Sequence, residues 1–165
     1  MRNVLLFACM LLSICACNKN TAKPVGIGQG TIKATIDGVS QTFTVKARAA
    51  LETNTYPRPP YSIIMAGAAD DTEAPCTLLL VVNSTEPINA KTYLYNNNDR
   101  VKTTSITYQE GRTADKYTPT GSNPESIAIT IQAITETGVQ GTFSGTLSGN
   151  GQVKKVANGQ FNLAF

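Results

Sequence analysis

Chemistry that needs an activated nucleophile or a transition metal has little to work with in this chain of 165 residues, which contains no histidine and four cysteines. Without an imidazole, neither the usual nucleophile-base triads nor the common zinc ligand sets can be assembled. No Gly-rich phosphate loop opens a helix. The densest ionic cluster is Asp70-Asp71-Thr72-Glu73. Carboxylates this close could contribute to a calcium site, but calcium takes about 6 to 8 oxygens and the spacing is not that of an EF-hand loop. Asp70, Asp71 and Glu73 are therefore read as turn formers between two strands, with metal binding as the weaker reading. The run Tyr93-Leu94-Tyr95-Asn96-Asn97-Asn98-Asp99-Arg100 puts aromatic faces beside amides and charges, the dressing of a sugar-contacting loop. Tyr93, Tyr95, Asn97, Asp99 and Arg100 form the candidate contact surface, set against the plainer reading of a core tyrosine followed by a polar turn. No carboxylate pair suited to glycoside cleavage can be nominated. The expectation is a protein that is not an enzyme and carries no cofactor.

The cysteine with the clearest chemistry is Cys17. Arg2 and an apolar run over residues 4–12 lead into Ile14-Cys15-Ala16-Cys17, and polar Asn18-Lys19-Asn20-Thr21 follows at once. A positive n-region, a short apolar h-region and a small residue before the cut are the parts of a secretory signal. Here the cut falls before a cysteine, the pattern of a bacterial lipoprotein signal. A transmembrane helix is the rival reading, and it fails on length, because spanning the hydrocarbon core takes about 20 apolar residues. Cys15 is a poorer acceptor, since bulky Ile14 precedes it. The resemblance to lipoproteins implies a diacylglyceryl thioether on Cys17, removal of residues 1–16 and further acylation, palmitate included. One chain is a marginal anchor and two or more hold stably. Asn18, where an aspartate would resemble the inner-membrane retention signal of enterobacteria, points to the outer membrane. The absence of acidic residues over positions 18–30 favours a periplasm-facing position over the cell surface.

Of the 14 basic residues only Arg2 precedes Cys17, while all 11 acidic ones follow it, so the part beyond the signal carries a net charge of +2. Lysines and arginines are scattered without aromatic interleaving, which leaves nucleic-acid binding without an electrostatic footprint. Cys76 is the one thiol left beside the anchor, so no intramolecular disulfide is expected. With no histidine to activate it, Cys76 reads as a small core residue at the mouth of a strand over residues 77–82. Residues 17–30, rich in Gly, Asn, Lys and Pro, read as a lipidated flexible tether with a reach of about 20 Å. Residues 31–165 remain as one domain, long enough to bury a core without disulfides.

That domain alternates as strands do. Ile32, Ala34 and Ile36 alternate with polar residues, Asp37-Gly38 supplies a type I′ turn, and Phe43, Val45 and Ala47 resume the pattern. Apolar runs at 61–66 and 77–82 read as central strands covered on both faces. A short strand at 105–108 follows. Ile127, Ile129 and Ile131 share one face. So do Val139, Phe143 and Leu147, with Gly141 and Gly145 on the same side. Phe161, Leu163 and Phe165 form the inner face of a closing strand. With no capped helical period anywhere, the fold class is all-β, a single antiparallel β-sandwich or small barrel of about eight or nine strands.

The order Gly30-Thr-Ile-Lys-Ala-Thr-Ile-Asp-Gly38, Ile88-Asn-Ala-Lys-Thr-Tyr93, Val139-Gln-Gly-Thr-Phe-Ser-Gly145 and Asn158-Gly-Gln-Phe-Asn-Leu-Ala-Phe165 resembles a family of small Bacteroidota lipoproteins with a β-rich domain of unassigned function. The likeness covers nearly the whole chain beyond the signal. It departs from the family pattern where Phe43 replaces a tryptophan after the Asp-Gly turn and Lys91 replaces a glycine before Thr92-Tyr93. These motif residues are turn formers and core aromatics, so the resemblance implies a fold and not a chemistry. Two functions fit: a monomeric, non-catalytic interaction or accessory module that binds an envelope protein or glycan through its loops, or a lipocalin-like carrier whose barrel encloses a small apolar ligand. A closed interior of about 300 Å³ lined by Ile127, Ile129 and Phe143 would favour the carrier, and a filled core the module.

Overall fold

Strands are what the period-two alternation builds. The computed structural model describes residues 30–55, 58–59, 61–95, 103–111, 115–119 and 126–165. Cys17, the signal and all of the tether except Gly30 lie outside the described residues. In chain order the elements are β1 (Thr31–Ile36), β2 (Val39–Phe43), β3 (Val45–Thr53), β4 (Tyr61–Ala68), β5 (Thr77–Ser84), β6 (Thr92–Leu94), β7 (Thr104–Glu110), β8 (Asp115–Pro119), β9 (Ile127–Ile134), β10 (Gly138–Gly149) and β11 (Gln152–Ala164). Every pairing is antiparallel, in the order β2-β1-β11-β10-β8-β7-β5-β4-β3. The fold is all-β and its wall is nearly closed.

Closure follows from two local features. At one seam β10 is long enough to serve two partners along the same edge, pairing with β9 from Val139 to Gly145 and with β8 at Leu147 and Ser148. At the other, the two ends of the sheet order are consecutive in sequence, β2 running into β3 through Thr44 alone. Lys46 takes a φ of 52° there, and the register against β4 shifts between Val45 and Arg48, as a bulge that turns a corner should. The corner lies over Gly67, whose missing side chain leaves room for Phe43 and Ala47; a Cβ at Gly67 would meet both of their Cβ atoms at 3.2 and 3.3 Å. Gly30 completes the seam. It is buried, and its N–H donates to the Ala47 carbonyl at 3.2 Å, so the last residue of the expected tether packs on the domain.

The turn at Asp37-Gly38 has φ values of 50° and 85°, the left-handed pair a type I′ hairpin demands. Inward positions match the alternation: Ile32, Ala34, Ile36, Phe43, Ile127, Ile129, Ile131, Val139, Phe143, Leu147, Phe161 and Leu163 are all buried in one cluster. Three expectations need correction. Phe165 lies past the end of β11 and is 43% exposed, its N–H donating to the Thr137 carbonyl. β4 and β5 are central but buried on one face: Ile63, Met65, Leu78, Leu80 and Val82 are inside, while Ile64, Ala66, Leu79 and Val81 on the outer face stay half-exposed, because the barrel wall is one sheet thick. The described strands number eleven: β6 and β8 are additions, and the stretch expected to carry Phe43, Val45 and Ala47 in one alternation is broken at Thr44 into β2 and β3.

The inward glycines do not leave a void. A Cβ at Gly141 would approach Phe161 Cζ at 2.6 Å, one at Gly159 would approach Phe143 Cδ2 at 2.6 Å, and one at Gly145 would run into Ile127 Cδ1. Large neighbours occupy the space each glycine vacates. The Phe143 and Phe161 rings stack at 6.4 Å between centroids. β11 pairs on both sides, with β1 and β10, so Phe161→Ala should cost about 3–5 kcal/mol. Truncation after Gly159 should abolish cooperative folding. Thermal denaturation followed by circular dichroism checks both; a truncated chain with an unchanged midpoint would refute the role given to β11.

Candidate functional site

The connection from β5 to β6 is built around Tyr93. Ile88 is buried, and Tyr93 folds back so that its hydroxyl accepts the Asn89 N–H at 2.9 Å and donates to the Asn89 carbonyl at 3.1 Å. A tyrosine hydroxyl closing on backbone a few residues upstream fixes a corner between sheets, as in β-sandwiches. Lys91 covers the corner, its Nζ 5.0 Å from the Tyr93 ring centroid and 3.9 Å from Glu86. Tyr93 is 7% exposed and spends its hydroxyl internally, so it is a structural tyrosine that forms one wall of the site and not a free contact residue.

Among the described residues β6 is an edge strand. It pairs with β9, Tyr93 opposite Ile129, and the bonded positions are fixed by Tyr95 N–H to the Ile127 carbonyl and Ile131 N–H to the Lys91 carbonyl, both 3.0 Å. In an antiparallel ladder the bonded pairs alternate. The N–H and C=O groups of Thr92 and Leu94 therefore point away from β9. They face an open cleft of about 380 Å³, lined by Asn83, Ser84, Thr85 and Glu86 at the end of β5, by Thr104 of β7, and by residues 91–95. The side chains there are mostly committed. Asn83 accepts from Ser62 Oγ at 2.8 Å and donates to Thr103 Oγ1 at 2.8 Å, Asn54 extending the ladder to Ser62 at 3.4 Å. Ser84 Oγ accepts the Glu86 N–H at 3.1 Å, and the Thr92 and Thr130 hydroxyls share a bond of 2.9 Å. Leu94 is 49% exposed and Tyr95 is half-buried against the core.

A second, open groove of about 540 Å³ lies on the outer face of β1, β9, β10 and β11, among Gln132, Gln140, Gln160, Asn162, Thr142 and Lys33. The register aligns Thr92, Thr130, Thr142, Gln160 and Lys33 in one row across five strands. The extra residue that shifts register near Gln132 bends β9 away and deepens the groove.

Ionisable groups meet aromatic residues of the core where β8 joins the two halves of the barrel. Lys154 Nζ lies 3.1 Å from Glu110, 3.4 Å from Asp37 and 5.2 Å from the Tyr117 ring centroid. Tyr117 stacks on Tyr108 at 6.1 Å, and Phe43 meets Tyr108 edge-on at 6.5 Å. Gln41 Nε2 donates to the Tyr108 hydroxyl at 3.1 Å, and the Cys76 thiol lies nearby. Burial, then the neighbouring Cys76, pushes the Tyr108 phenol well above its ordinary range, while the hydrogen bond to Glu110 raises Lys154. The cluster ties the β1–β2 hairpin, β7 and β11 together across the seam.

The structure separates the candidates nominated from sequence. Tyr93 and Tyr95 line the cleft, whereas Asn97, Asp99 and Arg100 lie outside the described residues. Asp70 closes the β4–β5 turn, its Oδ1 accepting from both the N–H and the hydroxyl of Thr72, and this pairing lowers its carboxyl below the ordinary range. Among the described residues no group of three or more His, Cys, Asp or Glu could hold a metal, and Asp70, Asp71 and Glu73 form no such site. Cys76 is half-buried against the core. The free edge of β6 had no sequence signal beyond the shortness of its apolar pattern. Comparison with known protein families, with curated proteins and with solved structures finds no match.

Two outcomes test these assignments. Tyr93→Phe should lower stability by about 1–3 kcal/mol, since it leaves the Asn89 N–H and carbonyl without their partner, and equilibrium urea unfolding reads it. Lys154→Met should cost about 1 kcal/mol at neutral pH. Because its folded-state pKa is raised, the contribution of Lys154 is complete below the ordinary lysine pKa and disappears as pH climbs through the higher folded value. Melting curves of the two proteins should converge in strong alkali and stay apart at pH 7–9; a constant gap would refute the ion-pair role.

Proposed function

We propose that this chain is a membrane-anchored envelope lipoprotein, held by acyl chains on Cys17, whose β-barrel is a non-catalytic interaction module that docks its partner in the cleft beside β6. The observation that carries the reading is the contrast between a filled interior and an open cleft. Ile127, Ile129 and Phe143, which would line a carrier's cavity, are buried at 0%, 0% and 4% exposure, and the inward glycines are covered by them and by Phe161. That arrangement speaks against the lipocalin-like alternative, which needs a ligand-sized chamber. No helix among the described residues is long and apolar enough to cross a membrane, so the signal preceding Cys17 is the feature that suggests attachment.

A glycan partner is a second reading, favoured by the groove on the outer sheet face, where Gln132, Gln140, Gln160 and Asn162 present amides and Lys33 is the one charged residue among the described lining residues. Cys17→Ser should yield protein that is soluble or uncleaved and takes up no palmitate in metabolic labelling. A mutant that still labels and still fractionates with the outer membrane would overturn the anchor. Solvent extraction of the purified protein should release no apolar compound in stoichiometric amount; one that appeared would restore the carrier.

A further inference from the structure

The free edge of β6 supplies a recognition chemistry that loop side chains do not. We propose that the cleft binds an extended polypeptide segment, which adds to β6 as a further antiparallel or parallel strand. This rests on the cleft being the docking site and names the class of its partner. The cleft is bounded on one side by the backbone of Thr92 and Leu94, whose N–H and C=O groups point away from β9 because the bonded positions are Lys91, Tyr93 and Tyr95. These two donor and acceptor sets repeat every second residue, about 6.8 Å apart, the repeat of another extended chain. The side chains around them are spoken for: Asn83 is bonded at both ends of its amide, Tyr93 is closed on Asn89, and Thr92 is paired with Thr130. A sugar read by amide side chains would find those amides occupied, whereas a peptide needs only the backbone groups. Leu94, 49% exposed on one face of β6, and half-buried Tyr95 on the other offer apolar contacts to the alternating side chains of an added strand, and Glu86 and Lys91 flank it with one charge of each sign. Strand addition gives affinity through main-chain hydrogen bonds and specificity through alternate side chains.

The geometry makes one backbone N–H testable by substitution. Proline is tolerated at an edge position whose N–H faces solvent, so Leu94→Pro removes a donor to the cleft while leaving the β9 ladder its bonds, and Leu94→Ala removes only the side chain. The full chain in detergent would be titrated into a fluorescein-labelled peptide of alternating threonine and valine, six residues long, and followed by anisotropy. An analogue N-methylated at every residue, which has no donor on either edge, would be compared. Saturable binding in the millimolar range is expected for the unmethylated peptide and none for the methylated one. Leu94→Pro should bind at least threefold more weakly than Leu94→Ala. Equal binding of the methylated and unmethylated peptides would overturn strand addition even if the proline variant failed to fold, as would the absence of saturable binding. If cellohexaose or chitohexaose binds, with a change in tyrosine fluorescence abolished by Tyr95→Ala, and the peptide does not, the cleft reading stands and strand addition falls. If neither peptide nor glycan binds, both fall.

Discussion

The barrel depends on one strand serving two partners. β10 is twelve residues long, pairs with β11 over its whole length, and divides its opposite edge between β9 and β8. Where the division falls, Gly145 lets Ile127 pack against the backbone, and Leu147 begins the short pairing with Pro119 and Ser148 with Thr118. Those two positions are the main-chain link from β10 into β8, and through β8 into β7, β5, β4 and β3. So thin a ladder cannot hold two halves alone. The Tyr108–Tyr117 stack and the ion pairs of Lys154 lie beside it, and they supply contacts that two residues of strand pairing do not. The seam is polar and aromatic because the strand pairing there is minimal.

How much of this was legible follows from what each segment buries. β1 and β9 read clearly because each puts three alternating apolar side chains on the inside, β10 because Val139, Phe143 and Leu147 share its inner face, and β11 through Phe161 and Leu163; the Asp37-Gly38 turn announced itself through a conformation few other residue pairs accept. β8 was invisible: Asp115-Lys116-Tyr117-Thr118-Pro119 buries Tyr117 alone, and one inward residue makes no period. The extension of β3 was equally silent, since residues 50–53 are exposed on both faces. Runs with apolar residues on consecutive positions, as in β4 and β5, implied cover on both faces, yet the outer positions are only half-buried. Continuous hydrophobicity reports that water is partly excluded and does not say by what. The site was half legible. Tyr93 could be picked out by type, but its role depends on a hydroxyl bond to Asn89, and the cleft depends on which β6 amides face β9, a register no composition encodes.

Where inward side chains pack on one another, as Ile127, Ile129 and Phe143 do, the faces, loops and edges of a barrel are the surfaces open to a partner. Edges carry a risk as well as a use, because unpaired strand backbone recruits other chains. β6 limits that risk by being three residues long and by following Lys91, which leans over the Tyr93 ring. Recruitment there would take place in a cleft lined by Asn83 to Glu86 and by residues 91–95. The same features that keep the edge from promiscuous pairing define what could pair with it, a single narrow strand.

Magnitudes set the working regime of such a contact. Two residues of free edge can make at most four main-chain hydrogen bonds, each worth about 0.5–1.5 kcal/mol net, and the incoming segment must give up the freedom it had in solution. The balance is weak binding, near the millimolar range when about 4 kcal/mol survives. Weak strand addition becomes useful when partner and protein are confined together, since tethering two components replaces bulk concentration with an effective concentration that reaches millimolar over short flexible linkers. An anchor on Cys17 followed by a Gly-rich tether would confine the domain in this way at a membrane surface. With such an anchor in place the two would be complementary: it would raise the local concentration toward the affinity that a three-residue edge can supply, while the shortness of that edge would keep the protein from pairing with chains that are not held beside it.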